Sequence, residues 1–169
     1  IRIIGDPATR YREDPVRMLR VVRFSARLQF DIESETAEAI AVCGPLLSEI
    51  PAARLFDEFL KLFMSGYAKS TFLLLCNYDL LRYLTPEAAD RIAKEPRYKQ
   101  MVTAAMQSTD QRVRKDRPVT PAFLLAAMLW PAVQPRYEAL AQAGEPQAQA
   151  MNSIGQQVTA ETCLHTAIP

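Results

Sequence analysis

Asp14-Pro15-Val16-Arg17-Met18-Leu19-Arg20-Val21-Val22-Arg23-Phe24-Ser25-Ala26-Arg27-Leu28-Gln29-Phe30 is the stretch on which the reading of the fold turns. An Asp followed by a Pro is a helix start, with the Asp at the N-cap and the Pro at the first helical position. Met18, Leu19, Val22 and Ala26 then recur at helical spacing and form one apolar face. Arg17, Arg20, Arg23 and Arg27 recur at steps of three, three and four and line another. The spacing predicts an amphipathic helix running to about Phe30.

The same grammar repeats outward from this helix. Residues 2–12 read as extended or irregular, because Gly5 and Pro7 break helical continuity. Ser34 is the expected N-cap of a helix over residues 35–42, ended by Gly44-Pro45. Residues 52–64 read as helix, with Leu55, Phe59, Leu62 and Phe63 apolar and Arg54, Asp57, Glu58 and Lys61 polar; Gly66 stops it. Residues 70–81 are strongly apolar and are expected to be the most buried helix. Thr85-Pro86 and Thr120-Pro121 each open a further helix. Between them residues 97–113 read as helical, with Met101, Ala104, Ala105 and Val113 on the apolar side. The helix over residues 123–130 is expected to bend or end at Pro131, and residues 137–143 and 147–165 complete the series. No segment alternates with period two for long. The fold class is all-α, several antiparallel helices with short connections.

Composition agrees. The chain has 169 residues, 49% hydrophobic and 23% charged, with only 5 Gly, within the range of globular domains. Net charge is +1, so no global basic field marks a nucleic-acid partner. Locally, residues 1–30 hold seven Arg against Asp6, Glu13 and Asp14, a concentration that can hold phosphates. Cys43, Cys76 and Cys163 are far apart and form no C-x-x-C pair, which argues against zinc or a disulfide framework and suits a reducing cytoplasm. Residues 123–133 are too short for a bilayer, which needs about 20 residues; no membrane partner is expected. The opening Ile-Arg-Ile-Ile-Gly-Asp reads as a cut made inside a larger protein.

His165 stands alone, and no nucleophile elbow or Walker loop is present. Asp31, Glu33 and Glu35 alternate as the acids of a two-metal site do, but an acidic helix start accounts for them through the macrodipole. Asp14 and Arg17 are more informative. Three apart on a helix, their heads lie side by side. A carboxylate beside a guanidinium can read an amino-bearing base: the 6-amino group of adenine donates to the carboxylate, and N1 accepts from the guanidinium. Cytosine offers N4 and N3 in the same way. Guanine and uracil place a carbonyl against the carboxylate, at a cost of about 1–3 kcal/mol. The same residues also admit a structural reading, with Asp14 capping the helix and Arg17 paired to Asp14 or Glu13. Arg112, Arg114, Lys115 and Arg117 form a second basic cluster, either an RNA phosphate contact or a solvated helix end.

Ile3-Ile4-Gly5-Asp6-Pro7, then Arg10-Tyr11-Arg12-Glu13-Asp14-Pro15-Val16-Arg17-Met18-Leu19-Arg20 and Arg23-Phe24, resemble the neck motif of bacterial poly(A) polymerases and tRNA CCA-adding enzymes, both class II nucleotidyltransferases. Residues 50–62, Ile-Pro-Ala-Ala-Arg-Leu-Phe-Asp-Glu-Phe-Leu-Lys-Leu, resemble the family's next motif, a helix bracing the selecting helix. Thr109-Asp110-x-Arg112 with Asp116, then Val119-x-Pro121-Ala122-Phe123-Leu124-x-Ala126-Ala127-Met128-x-Trp130, resemble the poly(A) polymerase body.

The resemblance implies a neck over residues 1–66 and an RNA-binding helical body over 67–169. It implies base contact by Asp14 and Arg17, orientation by Glu13, and approach of Arg20 to triphosphate or primer. The parent enzyme would move AMP from ATP to RNA 3′ ends with Mg2+ held by an upstream head. These residues alone would be inactive and would bind no metal. An RNA helicase or degradation machinery are the implied partners, and the cytoplasm the implied location. A CCA-adding enzyme and a non-catalytic helical RNA- or protein-binding module are the alternatives. Apolar side chains that would meet the head, Phe24 and Leu28 among them, are expected to be exposed. Family members commonly carry Gly where Gln29 stands, which calls the left-handed end of the selecting helix into question.

Overall fold

The computed structural model describes residues 1–144 and 146–166, with side chains described through Thr162. The Cys163 and His165 side chains lie outside the described residues. Helices α1 (Pro7–Glu13), α2 (Val16–Leu28), α3 (Ser34–Cys43), α4 (Ala52–Phe63), α5 (Ala68–Asn77), α6 (Pro86–Lys94), α7 (Pro96–Arg114), α8 (Pro121–Gln142) and α9 (Gln147–Thr166) follow in chain order. Short 3-10 helices over Gly44–Glu49 and Leu81–Tyr83 join α3 to α4 and α5 to α6. No strand occurs among the described residues, and none of their helices is long and apolar enough to cross a membrane.

Helix α1 corrects the expectation of an irregular opening. Asp6 caps it, its Oδ2 accepting from the Thr9 N–H at 2.7 Å, and Pro7 takes the first position. Gly5, at φ +88°, turns the chain into that cap. Pro7 therefore starts a helix. The cap of α3 is Glu33 where Ser34 was expected; its Oε2 accepts from the Thr36 N–H at 3.0 Å and hydroxyl at 2.9 Å. The Thr36 N–H holds the Glu33 carboxyl below its ordinary range.

Apolar faces meet in one cluster that runs from Tyr11 to Val158. Helix α1 packs on α3, α2 on α4 and α5, α4 on α9, α5 on α7, and α8 on α6, α7 and α9. The four apolar residues predicted to face inward on α2 are all buried, and so are the four on α4. The most apolar segment is not the most buried. Helix α5 buries four of its ten residues and leaves Leu73 38% exposed, whereas α2 buries seven of thirteen. The apolar side of α7 is also shifted: Tyr98, Val102, Met106 and Thr109 are buried while Ala104 is exposed. Helix α8 continues through Pro131 and Pro135, because Pro131, Ala132 and Val133 are packed in the core. Burial outweighs the lost backbone hydrogen bonds there.

Two termini show how the turns are held. Gln29 takes the left-handed conformation after α2, at φ +57°, without being glycine. The Ser25 hydroxyl donates to the Phe30 carbonyl at 2.6 Å across that turn. The N-terminus of α5 has no cap from its own side. Asp110 supplies it from α7: Oδ1 accepts from the Ala68 N–H at 2.6 Å and Oδ2 from the Lys69 N–H at 3.0 Å. The carboxylate is buried against the positive end of the α5 dipole.

Asp110→Ala leaves two helix-end donors without acceptors and is expected to cost about 2–3 kcal/mol in urea unfolding, with Asp110→Asn costing less. Gln29→Gly removes the left-handed penalty and is expected to raise stability by about 0.5–1 kcal/mol in the same measurement.

Candidate functional site

Proline 15 sets the geometry of the α1–α2 junction. A residue before proline is disfavoured in the helical region, because the pyrrolidine ring crowds its backbone. Asp14 accordingly sits at φ −151°, ψ 94°, and α1 ends there. Helix α2 begins after Pro15 with no side-chain cap. Asp14 is thus a hinge residue between two helices and does not cap α2, which corrects the N-cap expectation. Its carboxylate is left to reach elsewhere.

It reaches α4. Arg54 Nη2 donates to Asp14 Oδ1 at 2.8 Å, and Arg20 Nη1 stands 3.8 Å from Oδ2. Arg17 turns the other way. Its Nη1 donates to Glu13 Oε2 at 2.8 Å and to the Arg10 carbonyl at 3.0 Å, while Arg10 holds the same Glu13 oxygen at 2.7 Å. Asp14 and Arg17 therefore make no ion pair with each other. The side-by-side arrangement expected from helical spacing fails because only Arg17 is on the helix. The two heads flank the junction, with side chains 18% and 28% exposed.

Arg20 lies between two carboxylates without a hydrogen bond to either. Its Nη2 is 3.6 Å from Glu58 Oε1, which also takes Lys61 Nζ at 3.0 Å. Glu58 is a buried acid, 3% exposed, although the sequence placed it on the polar face of its helix. Arg10, Arg17, Arg20, Arg54 and Lys61 thus surround Glu13, Asp14 and Glu58, and cations outnumber acids. Such a surface attracts a polyanion and still offers acceptors for a donor. Beyond it, Phe24, Leu28 and Phe30 are exposed, as anticipated for the first two. The Arg23 guanidinium lies over the Phe24 ring at 5.1 Å.

Arg54, Glu58 and Lys61 were missed as site residues. The available signal was their spacing of four and three, which places them on one face of α4. The second basic cluster divides. Arg112 is committed to its own helix end, Nε and Nη2 donating to the Pro118 carbonyl at 3.1 and 2.9 Å. Arg114, Lys115 and Arg117 are exposed and pair with no carboxylate among the described residues.

The hydrogen bond from Arg17, with the nearby Arg10, holds the Glu13 carboxyl below its ordinary value. A group depressed on folding contributes stability above the unfolded value, about 4.3, and that contribution is lost as pH falls through the folded value. An NMR titration is expected to place Glu13 below the exposed glutamates, and Arg17→Met to move it upward. An unmoved Glu13 titration in that variant would show that the pair does not form.

Known proteins resemble this chain along its whole length. Residues 29–92 match a family described as the probable RNA and SrmB-binding site of polymerase A. Poly(A) polymerase I of Escherichia coli is 42% identical over 172 aligned positions, covering 100% of this chain and 37% of the relative. The Haemophilus influenzae poly(A) polymerase I is 44% identical over 85% of the chain and 32% of its own length. The CCA-adding enzyme of Leuconostoc citreum is 42% identical over 50% of the chain and 21% of its length. The chain spans little more than a third of the curated relatives it matches along its whole length, and the basic cluster at residues 112–117 lies outside the 29–92 match. The likeness to poly(A) polymerase I extends over the whole chain, the α1–α2 junction and the helices behind it included.

Proposed function

We propose that this chain is the base-selecting neck and RNA-contacting body of a polynucleotide adenylyltransferase, which moves AMP from ATP to RNA 3′ hydroxyls and releases pyrophosphate. The observation that carries the reading is the whole-chain likeness to poly(A) polymerase I, set beside a carboxylate and a guanidinium flanking one helix junction. The neck is residues 1–66 and the body 67–169, a division of roles over one shared core. The CCA-adding reading draws on likeness over 50% of the chain for one such relative, against 100% for poly(A) polymerase I.

In this reading Asp14 accepts from the exocyclic amino group of adenine and Arg17 donates to N1. Glu13 orients Arg17 directly, through the 2.8 Å bond. Arg20 faces the triphosphate or primer. Selection follows because guanine and uracil present a carbonyl to Asp14, and an unpaired buried acceptor costs about 1–3 kcal/mol. RNA phosphates meet Arg114, Lys115 and Arg117, and the match over residues 29–92 supports RNA contact by α3 to α6 as well. That match is described partly by SrmB binding, which supports a protein partner on the same helices; an RNA helicase is the partner proposed. The cytoplasm is the compartment that such substrates imply.

Magnesium, which the transfer would use, does not fit these residues. Among the described residues no three of His, Cys, Asp and Glu converge, and Glu13, Asp14 and Glu58 each face a guanidinium or ammonium. Metal binding belongs in this proposal to another part of the longer protein.

Arg17→Ala in the full-length protein is expected to lower ATP incorporation into an RNA primer by about 10- to 100-fold, with little change in Tm. Equal loss of incorporation and stability would favour a purely structural arginine. Replacing Arg114, Lys115 and Arg117 together by Ala is expected to weaken single-stranded RNA binding and reduce its log–log salt slope by about 2. An unchanged slope would remove these residues from the RNA path.

A further inference from the structure

Three charge contacts link four side chains between the α1–α2 junction and α4. Arg54 donates to Asp14 Oδ1 at 2.8 Å, Asp14 Oδ2 stands 3.8 Å from Arg20 Nη1, and Arg20 Nη2 stands 3.6 Å from Glu58 Oε1. Arg54 and Glu58 lie one helical turn apart on α4. The distances are unequal in an informative way. Arg54 makes a true hydrogen bond to Asp14, whereas Arg20 stops beyond hydrogen-bond reach of both carboxylates. Glu58 is buried, and its Oε2 has no hydrogen-bond partner, so its charge is compensated through Oε1 by Lys61 and Arg20. A buried, half-satisfied carboxylate exerts a strong pull on the nearest guanidinium.

We propose that Arg54 and Glu58 are positioning residues for nucleotide selection: Arg54 fixes the Asp14 carboxylate through Oδ1, and Glu58 holds Arg20 away from Oδ2, keeping that oxygen open to the base. Without Glu58, Arg20 closes onto Asp14 as a charge-assisted pair and competes with the amino group of the incoming base. Without Arg54, the carboxylate loses its fixed orientation at an extended hinge residue. The effect falls on nucleotide binding and on discrimination between amino- and carbonyl-bearing bases, with the transfer step left intact. This rests on the reading that Asp14 contacts the base.

The test uses the full-length protein, an RNA primer, and ATP or GTP as substrate. Glu58→Gln is expected to raise the KM for ATP about tenfold, to narrow the ATP-over-GTP preference, and to leave kcat within about twofold. In an Arg20→Gln background the same substitution is expected to change the KM little, because the competing guanidinium is gone. An equal rise in both backgrounds overturns the restraint on Arg20. Arg54→Gln alters a half-exposed side chain and leaves the core untouched; it is expected to raise the KM and narrow the preference as well. Wild-type KM and preference in both Glu58→Gln and Arg54→Gln overturn the proposal. Asp14→Asn separates the two levels. Lost preference there, with the α4 variants like wild type, defeats positioning alone. Unchanged preference in Asp14→Asn defeats the base contact itself, and the positioning role with it.

Discussion

The structure turns on a steric conflict between Asp14 and the ring of Pro15. The residue before a proline is disfavoured in the helical region; here α1 stops, α2 starts after Pro15, and Asp14 is left extended between them. Had the helix run through, Asp14 would lie on the same surface as Arg17, and the two would neutralise one another. Separated by the kink, the carboxylate turns to α4 and the guanidinium turns to Glu13. Two opposite charges are thus held near each other and kept apart.

Everything behind the junction serves to keep that separation. Helix α2 is anchored by seven buried residues, so its outward arginines inherit a fixed axis. Helix α4 presents Arg54, Glu58 and Lys61 to the junction from one face and buries Leu55, Phe59, Leu62 and Phe63 with the other. It also packs on α5 and α9. Asp110 ties α7 to the start of α5, which itself packs on α2. The far helices therefore bear on the polar junction through a continuous apolar cluster, as close-packed interiors do.

Much of this was legible from local chemistry. Thr85-Pro86 and Thr120-Pro121 marked helix starts because proline at a first position needs no amide partner. The same signal at Asp6-Pro7 was overridden by reading Gly5 and Pro7 as breakers, although a proline is a breaker only inside a helix. On α7, Ala104 was a poor guide to the buried side, since a methyl group is indifferent to exposure, whereas Val102 and Met106 marked it. The arginine stripe of α2 could be read from spacing. The partners of Asp14 and Arg17 could not all be read. The Arg54–Asp14 bond joins residues 40 apart, and the Asp110 cap joins residues 42 apart. Nothing in local periodicity distinguishes a surface acid from one that docks elsewhere in three dimensions. Gln29 shows the reverse case, where a residue unsuited to a left-handed turn adopts it because the neighbouring chain is held by Ser25.

The most direct measurement is a structure of the full-length protein with a non-hydrolysable ATP analogue. The account predicts the exocyclic amino group of the base within about 3.2 Å of the Asp14 carboxylate and the ring nitrogen at a similar distance from the Arg17 guanidinium. A bound base stacked elsewhere, with Asp14 still held only by Arg54 and Arg17 only by Glu13 and the Arg10 carbonyl, would contradict it.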